Sequence, residues 1–213
     1  MNWQLISENE IRYFRFVWNK HTALYSTKIG QDSLIQNLRP VFLEQIHSSI
    51  VIDIESHAER IGDGLMSSKQ KGLGIKIADC LPVYAFSQDK ISILHCGWRG
   101  IIGGITKKAR KMLKDFHYLL GASIGTCCYE VKKDVVDLFK KDYAQAILVR
   151  DGKYYLDLKS AVIKDLGSAR LLGSLDLCTK CHPELFYSSR GGDTQRNYAL
   201  IGYNIIDRIH DSD

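Results

Sequence analysis

Long apolar runs are missing from this 213-residue sequence. No stretch approaches the roughly 20 apolar residues that a membrane span needs, so no membrane-crossing helix is expected. Prolines number only three and there is no low-complexity tract, which argues against a long linker or a disordered tail. No repeat recurs at a solenoid or propeller period. Neither a Walker phosphate loop nor a G-x-G-x-x-G fingerprint is present, so nucleoside triphosphate and dinucleotide readings lack footing. The start, Met1-Asn-Trp-Gln-Leu-Ile-Ser-Glu-Asn-Glu10, lacks the basic region and apolar core of a signal peptide. The expected compartment is therefore the cytoplasm. There the six cysteines are expected as reduced thiols, some of them ligands, rather than as a disulfide framework.

What is present is ordinary in bulk. With 45% hydrophobic and 25% charged residues the composition is that of a soluble globular protein, and the length suits one domain over 1–213 with a sizeable core. The net charge of +5 comes from dispersed basic residues. The densest group, Lys107-Lys108-Ala-Arg110-Lys111, sits in a helical pattern and reads as a solvated face. No aromatic-and-basic stripe accompanies it, so a nucleic-acid partner is not expected, although a phosphate-bearing ligand would gain from the positive field.

Periodicity gives a coarse element order. Ile11–Trp18 is aromatic and β-branched and reads as a strand, as do 50–54 and 119–124. Residues 72–78 alternate at period two, putting Leu73, Ile75 and Ile77 on one face. Asp32 is a candidate cap for a helix ending before Pro40, and residues 101–117, 129–139 and 158–166 show helical spacing. Asp157 or Ser160 would cap the last of these. Residues 197–206 read as a terminal strand, or a strand entering a short helix. Strands and helices interspersed, with at least one antiparallel pair, predict an α/β domain with a mixed β-sheet core flanked by helices.

The antiparallel pair carries the chemistry. Leu81-Pro-Val-Tyr-Ala-Phe86 and Ile91-Ser-Ile-Leu-His95 flank a polar four-residue turn, as in a β-hairpin. That folding brings Cys80 and His95 together at the open end. A thiolate and an imidazole so placed form a metal pair or a nucleophile–base pair. The same two residues would also serve as a packed thiol and a hydrogen-bonded histidine. His47, just before the 50–54 strand, is the best third candidate for a catalytic zinc site, which takes three protein ligands and leaves one position open. Asp79 would orient a ligand from behind or cap the strand end. Cys178-Thr-Lys-Cys181-His182 matches the c-type haem attachment pattern, but such haems are attached outside the cytoplasm. Cys127-Cys128 has the wrong spacing to complete an ordinary zinc knuckle. Cys178 therefore reads as a packed or cavity-edge thiol, and Cys181 as incidental. The segment 188–196 is Gly-rich, with Arg190 and Arg196, and suits either a surface loop or a cover over an anion.

Taken in order, several motifs resemble the laccase-domain family, also called YfiH-like or polyphenol oxidoreductase. They are Gln45-Ile-His47-Ser48, Asp63-Gly-Leu-Met-Ser67, Ala78-Asp-Cys-Leu-Pro82 and His95-Cys-Gly-Trp-Arg-Gly100. Gly121-Ala-Ser-Ile-Gly125, Cys128-Tyr-Glu-Val131, Cys178-Thr179 and Phe186-Tyr-Ser-Ser-Arg190 follow. The resemblance implies one α/β domain with a zinc ion (Zn2+) bound by His47, Cys80 and His95 in a surface cleft. It further implies phosphorolysis of adenosine, inosine, guanosine or methylthioadenosine, with adenosine deamination alongside. Purine nucleoside and phosphate would be the partners, held by Lys28, Arg99 and Arg190. A monomer or small homo-oligomer is expected. Lys28 stands where the family usually has Arg, keeping the charge but losing the bidentate fork. Gly121-Ala replaces the usual Gly-Pro, and the 188–196 segment also departs from the family pattern.

The resemblance includes a branch described as a peptidoglycan editing factor, in which a Cys80 thiolate with a His base would cleave an amide. A nucleoside-binding protein without turnover is the alternative outside enzymes. Copper laccase activity is not expected. It requires on the order of ten imidazoles, and the chain has seven His in all, with no His-x-His pair.

Overall fold

A computed structural model describes residues 2–69, 72–167, 169–203 and 205. In chain order the elements are β1 (Gln4–Glu8), β2 (Ile11–Trp18), β3 (His21–Ser26), α1 (Gln31–Leu38), β4 (Val51–Asp53), β5 (Gly64–Ser67) and β6 (Leu73–Ile77). Next come β7 (Leu81–Phe86), β8 (Ile91–Cys96), α2 (Trp98–Ile102), α3 (Ile105–Met112), β9 (His117–Leu120), β10 (Glu130–Val131) and α4 (Lys133–Tyr143). The chain continues through β11 (Ile147–Arg150), β12 (Lys153–Leu156), α5 (Leu158–Leu166), β13 (Arg170–Ser174) and β14 (Asn197–Tyr203). Among the described residues no helix is long and apolar enough to cross a membrane.

Two large sheets face each other. The central one has six strands in the order β13-β9-β7-β8-β5-β4, and the second has five in the order β1-β2-β3-β14-β6. In the first, β4 runs parallel to β5 and β9 parallel to β13, while the other pairs are antiparallel. The expected mixed sheet is present. All six residues of β7 are buried because both of its faces are covered. Tyr84 and Phe86 pack toward Phe16, Tyr25 and Ile75 of the second sheet. Leu81, Val83 and Ala85, on the alternate face, pack toward Ile101, Ile105 and Val162 of the helices. Each fully buried Val, Leu, Ile or Phe among them contributes about 1.5–3 kcal/mol. Helix α1 closes the outer face of the second sheet through Leu34 and Leu38. A small sheet, β10-β12-β11, flanks the helices.

Several expected boundaries move, each for a local reason. The 101–117 helix is two short helices because Gly104 adopts a left-handed backbone (φ +82°) between them, and His117 already belongs to β9. Gly30, not Asp32, holds the N-cap of α1. Its φ is +67°, and a Cβ there would lie 2.5 Å from the Glu10 carbonyl oxygen. Residues 130–131 pair with β12 before α4 begins. The 50–54 strand is the edge strand β4, with Ile50 exposed. Asp157 does cap α5, accepting a hydrogen bond from the Ser160 N–H at 3.1 Å. In the expected 197–206 element, Asn204 and Ile206 lie outside the described residues.

Candidate metal centre

The β7–β8 register places the first two site residues. Pro82 pairs with His95 and Leu81 with Cys96, so Cys80, directly before β7, stands at the open end beside His95. His47 arrives from the loop between α1 and β4, held in a left-handed backbone conformation (φ +58°). One ligand atom from each of His47, Cys80 and His95 lies within 4.8 Å of the others. The two imidazole rings meet edge to face with centroids 5.0 Å apart. His95 is buried, Cys80 half-buried and His47 exposed.

Asp63, fully buried at the start of β5, organises two of the three. Its Oδ1 lies 2.8 Å from His95 Nδ1 and accepts the His47 N–H at 3.0 Å. Its Oδ2 accepts the Ser48 hydroxyl at 2.8 Å and the Ile46 N–H at 3.3 Å. One carboxylate thus fixes the ring of His95 and the backbone that carries His47. With Nδ1 committed to Asp63, His95 presents Nε2 to the cavity. Burial would push the Asp63 carboxyl up, but bonds from His95 and Ser48 outweigh it and hold the pKa at about 2.

Cys80 and His95 perturb each other in the same way. Burial would raise the thiol, yet the charge of His95 and a hydrogen bond from His47 bring it down to about 6. Burial would lower His95, yet the Cys80 thiolate and the bond to Asp63 raise it to about 9. Without a metal the two form a thiolate–imidazolium pair between those values. Iodoacetamide alkylation of Cys80 in chelator-treated protein should therefore titrate near pH 6, against about 8.5 for an ordinary thiol. Peptide-resolved mass spectrometry reads that midpoint. A value above about 8 contradicts the pairing.

The three donors line a cavity of about 420 Å³ together with Gln45, Lys76 and Arg196. The Gln45 side chain accepts the Lys76 N–H at 2.7 Å and donates to the Lys76 carbonyl at 2.9 Å, tying the His47 loop to β6. The Gly97 backbone packs closely behind the donors. A Cβ there would lie 2.9 Å from Cys80 Sγ and 3.8 Å from His47 Cδ2. Gly97→Ala should displace Cys80 and lower metal affinity on the order of tenfold or more, read by chelator competition. Unchanged affinity contradicts this.

Of the other expected site residues, Asp79 is buried in a left-handed conformation (φ +84°) and turns toward the 175–196 segment. It accepts the Thr179 hydroxyl and the Arg190 N–H, each at 2.7 Å. Lys28 sits 3.8 Å from Asp193 and over the Tyr187 ring, and Arg99 lies over Trp98. Arg190 donates to the Glu130 carbonyl at 2.8 Å and lines a neighbouring cavity of about 490 Å³ with Trp98 and Tyr129. None of Lys28, Arg99 and Arg190 lines the cavity of the three donors; Lys76 and Arg196 do. Asp63, Lys76 and Gly97 were not singled out from the sequence. For Asp63 the signals are its place at the head of the 63–67 motif and an acid directly before a buried strand. Cys178 and Cys181 are not a packed thiol and a bystander: with Cys127 and Cys128 they form one four-sulfur cluster.

The donor set fits a zinc ion. Two imidazoles and one thiolate match its preference, one imidazole is backed by a carboxylate, and the cavity leaves one side open. It does not fit a multicopper centre. Among the described residues only His47 and His95 join a group of three close donors, and the other such group is all cysteine.

The sequence from 26 to 204 matches the family described as multi-copper polyphenol oxidoreductase laccase. A purine nucleoside phosphorylase of Borreliella burgdorferi is 36% identical over 178 residues, covering 75% of this chain and 77% of that protein. A purine nucleoside phosphorylase of Clostridium acetobutylicum is 30% identical over 215 residues, covering 89% of this chain and 90% of that protein. Among solved structures, the Bacillus licheniformis hypothetical protein YfiH superposes with a TM-score of 0.79 at 22% identity, covering 93% of this chain and 98% of the other. YlmD from Geobacillus stearothermophilus gives 0.78 at 22% identity with the same coverage. The fold is that of the YfiH and YlmD proteins, and the chain belongs to the laccase-like polyphenol oxidoreductase family.

Proposed function

We propose that the chain is a zinc-dependent purine nucleoside phosphorylase. The reaction converts adenosine, inosine, guanosine or methylthioadenosine and phosphate to the free base and the sugar 1-phosphate. The observation that carries this reading is the three-donor set opening onto a cavity whose lining holds two cations, Lys76 and Arg196, against one acid, Glu44. The names of its relatives supply the substrate class.

His47, Cys80 and His95 would hold the zinc ion, which when bound supplies Lewis-acid polarisation at its open position. In phosphorolysis a phosphate oxygen forms a bond to the anomeric carbon. The bond to the purine nitrogen breaks, and the base leaves with the electron pair and takes up a proton. Lys76 and Arg196 would hold the phosphate against the sugar by charge. Trp98 and Tyr129, in the neighbouring cavity, offer a flat apolar wall for the base. Arg99 and Arg190 flank that wall through their ring contacts with Trp98 and Tyr129. Lys28, tied to Asp193 and stacked on Tyr187, supports the 175–196 segment. Adenosine deamination, in which water adds at the purine carbon and ammonia departs, would use the same site.

A product analysis with adenosine separates the activities. Phosphate-dependent adenine release supports phosphorolysis, and inosine formed without phosphate supports deamination. Binding with neither product supports the binding protein. The thiolate–imidazolium pairing of Cys80 and His95 favours one second reading, a cysteine hydrolase acting on a muramyl peptide precursor. Protein purified without zinc that still cleaves such an amide would establish that reading instead.

A further inference from the structure

Away from that cavity, four thiols converge. Cys127 and Cys128 lie in the turn after Gly125, where the Cys128 and Tyr129 N–H groups both donate to the Gly125 carbonyl at 2.9 Å. Cys178 and Cys181 form a second turn, in which the N–H groups of Cys181 and His182 both donate to the Cys178 carbonyl at 3.2 Å. The two turns are joined by a bridge between Ser123 and Cys178. All four Sγ atoms lie within 4.8 Å of one another. Cys181 Sγ is 3.4 Å from both Cys127 Sγ and Cys128 Sγ. A disulfide requires about 2.05 Å, and all four cysteines are free. Four sulfurs around one zinc ion at about 2.3 Å stand about 3.8 Å apart, which is the scale of this cluster.

The surroundings favour an ion over four thiols. The Gly125 N–H donates to Cys178 Sγ at 3.2 Å, a bond that favours the sulfur as thiolate. Several thiolates at such separations repel one another unless a cation sits between them. Four sulfur donors complete a tetrahedron and leave no open position, as in structural rather than catalytic zinc sites.

The cluster ties down a long irregular segment. Between β13 and β14 the chain runs through 175–196 with no strand and only a short 3-10 turn at Ser189–Gly191. Irregular segments of that length are uncommon in compact domains without a tie. This one supplies Arg196 to the three-donor cavity and Arg190 to its neighbour. Thr179, between the two cysteines of the second turn, bonds Asp79, the residue preceding Cys80.

We propose that Cys127, Cys128, Cys178 and Cys181 bind a second zinc ion, a closed four-thiolate structural site that staples the start of the 175–196 segment beside the three-donor cavity. The site stands independently of which reaction the cavity performs.

Zinc content of the full chain, purified under reducing conditions, tests this directly. The expected values are two zinc ions per chain for the wild type, one for Cys80→Ser, and one for the double variant Cys127→Ser/Cys181→Ser. Loss of the cluster ion should also expose 175–196 to limited proteolysis. Should the double variant not fold, cobalt(II) reconstitution of Cys80→Ser decides. With the only thiolate of the three-donor site removed, an intense thiolate-to-cobalt charge-transfer band can come only from the cluster. Absence of that band, a zinc content that does not fall in Cys127→Ser/Cys181→Ser, iron in place of the zinc, or a disulfide between these cysteines in freshly purified protein would overturn the proposal. An unchanged cleavage pattern on metal loss would overturn the stapling role.

Discussion

Asp63→Ala should be among the most damaging single substitutions in the chain, costing about 3–5 kcal/mol of stability, as expected for removing one partner of a buried charged network. The carboxylate accepts bonds from the Ile46, His47 and Ser48 backbone and from the Ser48 hydroxyl, and it lies 2.8 Å from His95 Nδ1. Alanine leaves those N–H groups without their acceptor and frees His95 to rotate. Metal affinity should fall by about 10–100-fold in the variant that still folds. Asp63→Asn, which keeps the volume and one acceptor oxygen, should lose less stability but still loosen the metal. Urea midpoints and chelator competition read the two effects; wild-type values for both in Asp63→Ala contradict the role given to this residue. The pH dependence has a definite sign. The folded-state pKa is depressed to about 2, so the stabilisation is complete above the unfolded value of about 4 and is lost as pH falls toward 2.

The second large effect is at Cys80. Cys80→Ala removes the only sulfur donor from a site whose other donors are two imidazoles. The variant should lose the site's metal, and kcat/KM for nucleoside should fall on the order of 10²-fold or more. Cys80→Asp separates ligand from nucleophile. A carboxylate is still an anionic zinc donor but cannot act as a thiol nucleophile in amide cleavage. Partial recovery of both metal content and turnover in Cys80→Asp supports the metal role. Turnover lost in both variants while metal is retained in Cys80→Asp would favour nucleophilic catalysis.

What the sequence revealed depended on whether the signal was local. The β7–β8 hairpin was legible because two apolar runs flank a four-residue polar turn, and its register alone brings Cys80 to His95. The alternation of Leu73, Ile75 and Ile77 located β6, and Asp157 located the start of α5. The β11–β12 hairpin was missed although Asp151-Gly152 supplies its turn, both residues having positive φ. Its strands are partly exposed and carry no strong apolar alternation.

The site divides along the same line. Within it, Cys80 and His95 lie on one hairpin and could be paired by counting. Asp63 stands out only as the head of a motif and Arg196 only as part of a Gly-rich polar segment, while Lys76 carries no local signal. Tertiary packing alone brings the three to one site. The cysteine cluster shows the limit most clearly. Cys178-Thr-Lys-Cys181 has the C-x2-C spacing of half a zinc site, but Cys127-Cys128 lacks the spacing of an ordinary second half. The ligand set exists only once the Ser123–Cys178 bridge brings the halves together.

Under the proposed function, nucleoside phosphorolysis runs at the His47–Cys80–His95 site and needs its metal. The most direct test follows hypoxanthine and ribose 1-phosphate formed from inosine and phosphate by protein stripped with chelator and then titrated with zinc. Both products should appear in equal amounts, only with phosphate present, and turnover should return as that site fills, with no return in Cys80→Ala. Equal turnover by stripped and reloaded protein, or by Cys80→Ala, would contradict it.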